Sequence, residues 1–283
     1  MCRNATLRLG LIGDNIARSQ SPMLHGLAGH QNGIAVRYDR LVPRDMVRSF
    51  DEIFDGCEGE GYRGINVTYP YKEIAAGKVE VDDPLVRAVG AVNTVIFGGE
   101  MPKGFNTDYS GFMSAYRSVM GDKPTGTVLM IGTGGVGRAV AFGLAGLGAR
   151  TLRLVDRDPA KAEALAEALH SVAPDMEISI WLSAEKAAEG CTGLINCTPV
   201  GMVGYEGTPL APGAIAGAGW VFDAVYTPVH TQFLQDAEAA GLKVISGWEL
   251  FFYQGVHAWK LFSGLGLDDV ALRKSLVDMG DAE

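Results

Sequence analysis

The sequence predicts an α/β protein of two domains, each built on a mainly parallel β-sheet. The chain has 283 residues, a length typical of about two domains. Short apolar runs alternate along it with segments of helical periodicity, which is the pattern of repeated βαβ units. In the second half, an apolar run at residues 127–131 leads directly into a glycine-rich loop at residues 132–137 and then into a helical segment. That order is typical of a Rossmann-type fold.

The predicted boundary between the domains lies at residues 121–126, a cluster of glycine, proline and polar residues that follows a predicted helix. We predict an N-terminal mixed α/β domain over residues 1–120 and a C-terminal Rossmann-type dinucleotide-binding domain over residues 121–247. The tail, residues 248–283, has a helical pattern with a wide aromatic face. Such a face needs a partner surface, so we expect these C-terminal helices to pack back on the first domain and complete it.

Individual elements follow from the same patterns. In the first domain, apolar runs predict strands at residues 7–13, 35–41, 63–67 and 93–97. Helices are predicted at residues 22–31, 44–55 and 108–120, with Ser21 as the N-cap of the first and Pro22 at its first position. In the second domain, strands are predicted at residues 127–131, 151–155, 177–181, 193–196, 220–223 and 243–245, and helices at residues 135–147, 159–171 and 229–240.

Composition limits the classes of partner. A net charge of −9 argues against nucleic acid, because phosphate contacts need a basic face. The longest apolar stretch, residues 128–149, contains Arg138 and many glycines, so it is a poor membrane span. The five histidines share no spacing, which argues against a metal site. Four cysteines without a CxxC pair predict reduced thiols in a cytoplasmic protein; they are Cys2, Cys57, Cys191 and Cys197.

The glycine loop is a weak signal alone, since similar spacings occur in plain turns. Its context strengthens it, because it follows a strand and begins a helix. Glycines at the first two positions allow a tight turn and close approach of a pyrophosphate, and the last allows the helix to lie on the strand. The helix N-terminus adds free N–H groups. The predicted cofactor-binding residues of the loop are Gly132, Gly134, Gly135, Val136 and Gly137.

Asp156, at the end of the next strand, decides the predicted cofactor. A carboxylate there accepts hydrogen bonds from the adenosine ribose of NAD, and it repels the 2′-phosphate of NADP by on the order of several kcal/mol. Arg157 and Arg153 could partly offset this repulsion. Asp156 could instead be a turn residue that caps the next helix, a role that Asp158 fills equally well. We predict NAD as the preferred cofactor, with NADP possible.

Polar residues gather at the carboxyl end of the strand at 63–67, where open α/β sheets bind ligands. Thr68 and Lys72 follow this strand, and Asp108 precedes the glycine loop. Oxidation of an alcohol by a nicotinamide requires a group that handles the hydroxyl proton. We therefore predict that Lys72 and Asp108 form a catalytic acid–base pair. Lys72 could otherwise be a solvated surface charge, and Asp108 the N-cap of a helix at 109–120.

Two serines, Ser19 and Ser21, lie in the loop after the first predicted strand and could give two hydroxyls to a carboxylate. The alternative for Ser21 is the helix cap alone. Asn93, in the run Ala91-Val92-Asn93-Thr94, is ambiguous when it is considered alone.

Together, these residues resemble the shikimate/quinate dehydrogenase family over essentially the whole chain. The matching segments follow the family's order, which makes a chance match improbable. They are Ser19–His25, Asn66–Thr68 with Lys72-Glu73, Ala91–Thr94, Asn106–Asp108, Gly132–Gly137, Asn196–Thr198, Asp223–Pro228 and Tyr253–Gly255.

The resemblance implies reversible oxidation of one ring hydroxyl of shikimate or quinate to the 3-dehydro ketone, with hydride transfer to NAD. The substrate would be held by the first domain and the C-terminal helices. Its carboxylate would be bound by Ser19 and Ser21 with help from Tyr226. Its ring hydroxyls would be bound by Thr68, Lys72, Asn93, Asp108 and Gln254. The nicotinamide would lie near Asn196, Thr198, Met202 and Gly247.

Two departures from the family pattern bear on the substrate and the cofactor. Residues 155–158 stand where NADP-dependent members have an Asn-Arg-Thr-like basic run, which favours the NAD-using branch and catabolic use of quinate or shikimate. The stretch at residues 248–252 differs from the usual pattern, so the ring acid could also be an aminoshikimate. A nucleotide-sensing homologue without catalysis is the alternative from another class. The expected assembly is a monomer or a homodimer.

Overall fold

The computed structural model describes residues 6–280, so Cys2 and the end of the predicted C-terminal helical region lie outside the described residues. These residues form two compact units. The first unit contains the described residues up to Thr107 and from Gln254 onward, and the second contains Asp108–Tyr253. Each unit holds one sheet, and the predicted two-domain α/β fold is confirmed. The predicted domain limits at residues 120 and 247 stay a prediction, because compactness alone does not define a folding domain.

A five-stranded mixed sheet forms the centre of the first unit. Its strands are β1 Leu7–Ile12, β2 Val36–Leu41, β3 Gly64–Val67, β4 Thr94–Ile96 and β5 Lys103–Phe105. The strand order is β2-β1-β3-β4-β5, with β1, β2 and β3 parallel and the last two pairings antiparallel. Strand β5 was not predicted, because three residues are too few to show an alternating pattern.

The helices of the first unit's N-terminal part differ from prediction at several points. They are α1 Ser21–Gln31, α2 Pro43–Met46, α3 Phe50–Cys57, α4 Lys72–Ala76 and α5 Pro84–Val89. The single helix predicted at residues 44–55 is wrong. Val47 has a left-handed φ of 52°, which ends α2, and Ser49 with Glu52 forms a capping box that begins α3. The short helices α4 and α5 were not predicted.

The predicted N-cap of α1 is also wrong. Ser21 is the first helical residue, and Gln20 precedes it without a capping hydrogen bond from its side chain. The hydroxyl of Ser19 instead accepts a hydrogen bond from the backbone N–H of Ser21 at 3.3 Å. The helix therefore starts one residue earlier than predicted, and its N-cap position is Gln20.

The predicted packing of the C-terminal helices on the first unit is confirmed by helix α11, Gly247–Ser263, and helix α12, Asp269–Gly280. From Gln254 onward these helices belong to the first unit. The buried Trp259 donates its indole N–H to Asn32 at the end of α1, at 2.7 Å. A Cβ on Gly255 would clash with Leu24, so this glycine lets α11 approach α1 closely.

The second unit begins within helix α6, Thr107–Met120, and contains a six-stranded parallel sheet. Its strands are β6 Thr127–Ile131, β7 Thr151–Val155, β8 Glu177–Trp181, β9 Gly193–Asn196, β10 Trp220–Asp223 and β11 Lys243–Ile245, the limits predicted from the sequence. The order β11-β10-β9-β6-β7-β8 is that of the Rossmann fold. From β6, strands β7 and β8 follow on one side of the sheet, and β9, β10 and β11 follow on the other. Sheets of this type bind their ligands at this change of side, between β6 and β9.

The remaining helices of the second unit flank this sheet. They are α7 Gly135–Gly146, α8 Pro159–His170, α9 Ala184–Ala188 and α10 Gln232–Ala239, with one short 3₁₀ turn at Pro212–Ala214. Helix α10 starts three residues after its predicted start, because Thr231 caps it by accepting a hydrogen bond from Leu234 N–H. Helix α9 was not predicted. Across residues 6–280, the structure shows no helix with the length and apolar character needed to cross a membrane.

His25 is a buried polar residue in the core of the first unit. Its ring stacks on Tyr38 with the ring centroids 5.0 Å apart, and within the described residues its Nδ1 finds no hydrogen-bond partner. Burial lowers the pKa of His25 to about 3, against a hydrogen bond with Asn66 that acts in the opposite direction. The imidazole is therefore neutral in the folded protein at physiological pH.

This burial predicts a specific loss of stability in acid. Between its unfolded pKa of roughly 6.5 and the folded value of about 3, His25 gains a proton only on unfolding, so stability falls as the pH falls. From about pH 7 to about pH 5, the wild type should lose about 2 kcal/mol more than the variant His25→Gln. Urea unfolding of both proteins at the two pH values measures this difference. Parallel losses in the two proteins would contradict the assignment.

Candidate active site

The glycine loop lies at the carboxyl end of β6, beside β9, and begins α7. Gly132 has a left-handed φ of 93°, and a Cβ there would lie 2.8 Å from the backbone of Cys197. A Cβ on Gly137 would clash with the carbonyl oxygen of Gly132. These two glycines are therefore required by close backbone contacts, as the sequence pattern predicts.

The other two glycines of the loop border open space instead. A Cβ on Gly134 or Gly135 would meet no atom within 4 Å. Both residues are exposed at the N-terminus of α7, where backbone N–H groups and the helix dipole favour an anion. The room and the donors fit the pyrophosphate of a dinucleotide.

Asp156, directly after β7, is tied to this loop. Its Oδ2 accepts hydrogen bonds from the backbone N–H and the hydroxyl of Thr133, at 2.7 and 2.8 Å, and its Oδ1 accepts one from the N–H of Asp158 at 3.0 Å. Burial raises the pKa of Asp156, but these hydrogen bonds outweigh it and hold the pKa below its ordinary value. The group is therefore ionised. Asp158 is the N-cap of α8, so Asp156 does not have that role.

The side chain of Arg153 is held by carbonyl groups near the end of α9. Its guanidinium donates to the carbonyls of Ala187 and Glu189 at 2.8 and 2.7 Å and lies over the ring of Trp181. It is thus held by the end of α9. Arg157 is exposed beside Asp156 and is the arginine positioned by sequence to affect the charge there.

Asn196, at the end of β9, is fully buried and shapes the turn that follows it. Its Oδ1 accepts hydrogen bonds from the N–H and hydroxyl of Thr198, and its Nδ2 donates to the carbonyl of Val200 and to Asp223. These contacts use the hydrogen-bonding capacity of the amide. Asn196 therefore stabilises the turn at residues 197–200 through these hydrogen bonds.

The buried Asp223, at the end of β10, completes this support. It accepts hydrogen bonds from Asn196 and the N–H of Val225, at 2.9 and 3.0 Å, and from the hydroxyl of Thr231 at 2.6 Å. No role for Asp223 was predicted, because its pairing opposite Asn196 is set by the register of β9 and β10, which sequence patterns do not show.

The other second-unit residues that we expect near the ligand differ in their exposure and packing. Met202 is exposed, and Tyr226 is 41% exposed with its ring stacked on Phe251, the centroids 5.9 Å apart. A Cβ on Gly247 would lie 2.6 Å from the carbonyl oxygens of Ala224 and Val225, so this glycine is required by the backbone after β10.

The steric difference between the loop glycines gives a matched test. Gly137→Ala should lower the free energy of unfolding by about 1–3 kcal/mol, because the new methyl group has no space against the Gly132 carbonyl. Gly135→Ala lies in the same helix but faces open space, so it should stay within about 0.5 kcal/mol of wild type. Chemical denaturation compares the three proteins, and equal stability of the two variants would exclude this packing.

In the first unit, the structure brings the two predicted serines together. The hydroxyl of Ser19 donates to that of Ser21 at 3.1 Å, and Arg40 holds the Ser19 carbonyl at 2.9 Å. The N–H of Thr68 donates to the carbonyl of Ile12, which ties the end of β3 to the end of β1. The carboxyl ends of these parallel strands thus place the serine loop and Thr68 at one edge of the sheet.

Asn93 is buried, and its amide orientation is fixed by a backbone donor. Its Oδ1 accepts hydrogen bonds from the N–H and hydroxyl of Thr107, at 2.7 and 3.1 Å, and from the hydroxyl of Thr94 at 3.1 Å. Its Nδ2 must then face the other way, and it donates to Oε1 of Gln254 at 3.3 Å. The Nε2 group of Gln254 is left as a donor. The pair is thus arranged to present N–H groups to a ligand oxygen.

The two predicted catalytic residues are in different units. Lys72 is the half-buried first residue of α4, and its carbonyl accepts a hydrogen bond from Val92 N–H at 2.9 Å. Asp108 is buried in the first turn of α6. Because α6 begins at Thr107, the alternative in which Asp108 is the N-cap is wrong.

These features define a class of protein. The strand order, the glycine loop and the ionised Asp156 form a dinucleotide-binding unit, and the first unit carries hydroxyl and amide groups suited to a small polar ligand. This is the organisation of a dinucleotide-dependent oxidoreductase.

Comparison with known proteins identifies the family. Residues 11–95 match the shikimate dehydrogenase substrate binding domain. The chain is 36% identical to a quinate/shikimate dehydrogenase (NAD(+)) of Corynebacterium efficiens, over 97% of this chain and 99% of that protein. It is 33% identical to a shikimate dehydrogenase (NADP(+)) of Pseudarthrobacter chlorophenolicus, over 99% and 98%. The chain belongs to the shikimate/quinate dehydrogenase family, which confirms the resemblance predicted from its motifs.

Solved structures agree with this assignment. Quinate dehydrogenase from Corynebacterium glutamicum in complex with NAD matches with a TM-score of 0.91 and 30% identity, over 96% of this chain and 99% of that one. Shikimate 5-dehydrogenase from Thermus thermophilus in complex with NADP(H) and shikimate matches with a TM-score of 0.83 and 32% identity, over the same shares.

Proposed function

We propose that the protein catalyses the reversible oxidation of a ring hydroxyl of quinate or shikimate to the 3-dehydro ketone, with NAD as the preferred cofactor. The observation that carries this proposal is the fixed amide of Asn93, whose Nδ2 donates to Oε1 of Gln254 and leaves the Gln254 Nε2 as a donor, in the unit that also holds the serine pair. A hydroxylated ring acid needs both kinds of group. The similar proteins from Corynebacterium, with quinate in their names, support this substrate class.

The serines are assigned to the substrate carboxylate, because paired hydroxyls can donate two hydrogen bonds to one anion. Tyr226 is assigned to the same group. The residues assigned to the ring hydroxyls are Thr68, Lys72, Asn93, Asp108 and Gln254. The residues assigned to the cofactor are Gly132, Gly134, Gly135, Val136, Gly137, Asp156, Arg157, Asn196, Thr198, Met202 and Gly247. For Asn196 the assigned role is indirect, through the turn that it supports.

Lys72 is assigned as the acid–base residue. When bound, NAD supplies the acceptor for the hydride that leaves the ring carbon. The amine of Lys72 accepts the hydroxyl proton in the oxidation and returns it in the reverse reaction. Asp108 is assigned to orient Lys72 and the reacting hydroxyl, and its burial limits competing water around the carboxylate.

Asp156 is assigned to the choice of cofactor. Its carboxylate is ionised and fixed at the glycine loop, so a 2′-phosphate brought to the same place would meet a like charge. The guanidinium of Arg153 donates to carbonyls at the end of α9 and not to Asp156. Among the similar proteins, both NAD and NADP enzymes occur, so this site is where the two would be distinguished.

The role of Lys72 predicts a loss of chemistry with little loss of folding. Lys72→Met should lower kcat for oxidation of quinate or shikimate by at least ~10²-fold, which is typical of a positioned acid–base group. The control is Lys78→Met, because Lys78 is paired with Asp51 and Asp55 and is given no part in the reaction. It should keep kcat near wild type. If Lys72→Met turns over as fast as the control, the assignment is wrong.

The role of Asp156 predicts a change in cofactor preference. Asp156→Asn keeps an acceptor for Thr133 but removes the charge, so the ratio of kcat/KM with NAD to that with NADP should fall by at least about tenfold. Asp158→Asn changes an equal charge two residues on and keeps the cap of α8, so it should leave the ratio near wild type. Initial rates with both cofactors measure the ratios. An unchanged ratio in Asp156→Asn would exclude this role.

We also propose a cellular location, a metabolic use and an assembly for the enzyme. The three described cysteines, Cys57, Cys191 and Cys197, are all unpaired, which supports the expected cytoplasmic location. NAD preference supports catabolic use of the ring acid. A monomer or a homodimer is the proposed assembly.

A further inference from the structure

Tyr71 lies directly before Lys72 in the chain and has no assigned role. Residues 68–72, the Lys72 segment, begin and end at residues assigned to the ring hydroxyls, Thr68 and Lys72. Tyr71 is the residue that precedes helix α4, and its backbone N–H donates to the carbonyl of Thr68 at 3.0 Å. Because Tyr71 and Lys72 share a peptide bond, the position of Tyr71 affects the position of Lys72 directly.

The Lys72 segment lies against the serine loop, residues 13–21, which follows β1 and carries Ser19 and Ser21. The backbone N–H of Asp14 donates to the carbonyl of Tyr69 at 3.3 Å. A Cβ on Gly13 would clash with the side chain of Thr68. The two segments are therefore in direct contact within the first unit.

The side chain of Tyr71 adds a second link between the two segments. Its hydroxyl donates to Oδ1 of Asp14 at 2.7 Å. Its ring stacks on Phe50, the buried first residue of α3, with the ring centroids 4.8 Å apart. The hydrogen bond to Asp14 raises the pKa of Tyr71, so the phenol keeps the proton that it donates. The ring is thus held by the core, and the hydroxyl by the serine loop.

The middle of the Lys72 segment is exposed. Tyr69 is 74% exposed, Pro70 is also exposed, and α4 has only five residues. The backbone contact from Asp14 to Tyr69 is longer than an ordinary N–H···O hydrogen bond. The hydrogen bond between the side chains of Tyr71 and Asp14 is therefore the stronger of these two links.

We propose that Tyr71 and Asp14 are positioning residues for Lys72: their hydrogen bond holds the Lys72 segment against the serine loop. This inference rests on the proposed function, because it takes Lys72 as the acid–base residue. Such a group must lie within hydrogen-bond reach of the proton that it transfers. A segment that moves by even about 1 Å takes the group out of this position and lowers kcat.

The test begins with Tyr71→Phe, which removes the hydroxyl and keeps the ring that stacks on Phe50. Loss of one hydrogen bond of typical strength should lower kcat for the ring acid about fivefold. The KM for NAD should stay within about twofold of wild type, because this hydrogen bond lies in the first unit, away from the glycine loop in the sequence and in the fold.

The control is Tyr62→Phe, which removes another tyrosine–aspartate hydrogen bond of the first unit. The Tyr62 hydroxyl donates to Asp39 at 2.8 Å, and Tyr62 precedes β3, whereas Tyr71 follows it. Its kcat should stay within about twofold of wild type, even if its stability falls. Equal losses of kcat in Tyr62→Phe and Tyr71→Phe would overturn the proposal.

Two variants of Asp14 test the acceptor. Asp14→Ala removes it, so its kcat should fall as far as that of Tyr71→Phe. Asp14→Asn keeps a side-chain oxygen that accepts from Tyr71, so it should retain at least about half of the wild-type kcat. Equal losses in the two Asp14 variants would show that the charge of Asp14 matters and the hydrogen bond does not, which overturns the proposal.

A double-mutant cycle separates positioning of Lys72 from general loosening of the fold. In a protein that already carries Lys72→Met, Tyr71→Phe should lower kcat no further, because the group that it positions is gone. If the two losses multiply, Tyr71 acts independently of Lys72 and the proposal is overturned.

These experiments also distinguish this proposal from the proposed function. A wild-type protein that oxidises neither quinate nor shikimate overturns both. A wild-type protein that oxidises one of them, together with an unchanged kcat in Tyr71→Phe, overturns the role of Tyr71 and Asp14 alone.

Discussion

One buried amide, that of Asn93, has a fixed orientation in the unit where we propose that the substrate binds. The backbone N–H of Thr107 can only donate, so Oδ1 of Asn93 must face it and Nδ2 must face Gln254. In the proposed site, this orientation leaves Nε2 of Gln254 as the donor that a ring hydroxyl oxygen would meet. Because Thr107 begins α6, the same contact links this amide to the helix that carries Asp108 in its first turn.

In the second unit, the dinucleotide-binding one, other polar side chains hold their neighbouring loops by hydrogen bonds in the same way. There, Asn196 is held by Asp223 and orients the turn at residues 197–200, while Asp156 holds Thr133 of the glycine loop. In both units a buried or half-buried polar side chain at the end of a strand holds a neighbouring loop or helix start in place. Such networks are costly when incomplete, so a fully satisfied one gives a rigid site. Rigid loops that are positioned before binding reduce the entropy lost when substrate and cofactor are ordered.

The fold was largely predictable because its strands are continuous apolar runs, and all the strand limits of the second sheet were found from them. Elements that depend on local backbone detail were not predictable, such as the break at Val47 between α2 and α3. For the site, the sequence identified the glycine loop, Asp156 and the serine pair through spacing. It missed the role of Asp223, because this role depends on strand order: Asp223 lies opposite Asn196 only when β10 pairs with β9. Single-sequence patterns do not contain that order.

We propose that this chain is an NAD-preferring dehydrogenase of quinate or shikimate. The most direct measurement is the initial rate of reduced-cofactor formation with each acid, using NAD and NADP in turn, on the wild-type protein. We expect turnover of at least one acid with NAD, at a kcat/KM clearly above that with NADP, because the ionised Asp156 opposes the extra phosphate. A preference for NADP would contradict the role of Asp156, and no turnover of either acid with either cofactor would contradict the claim itself.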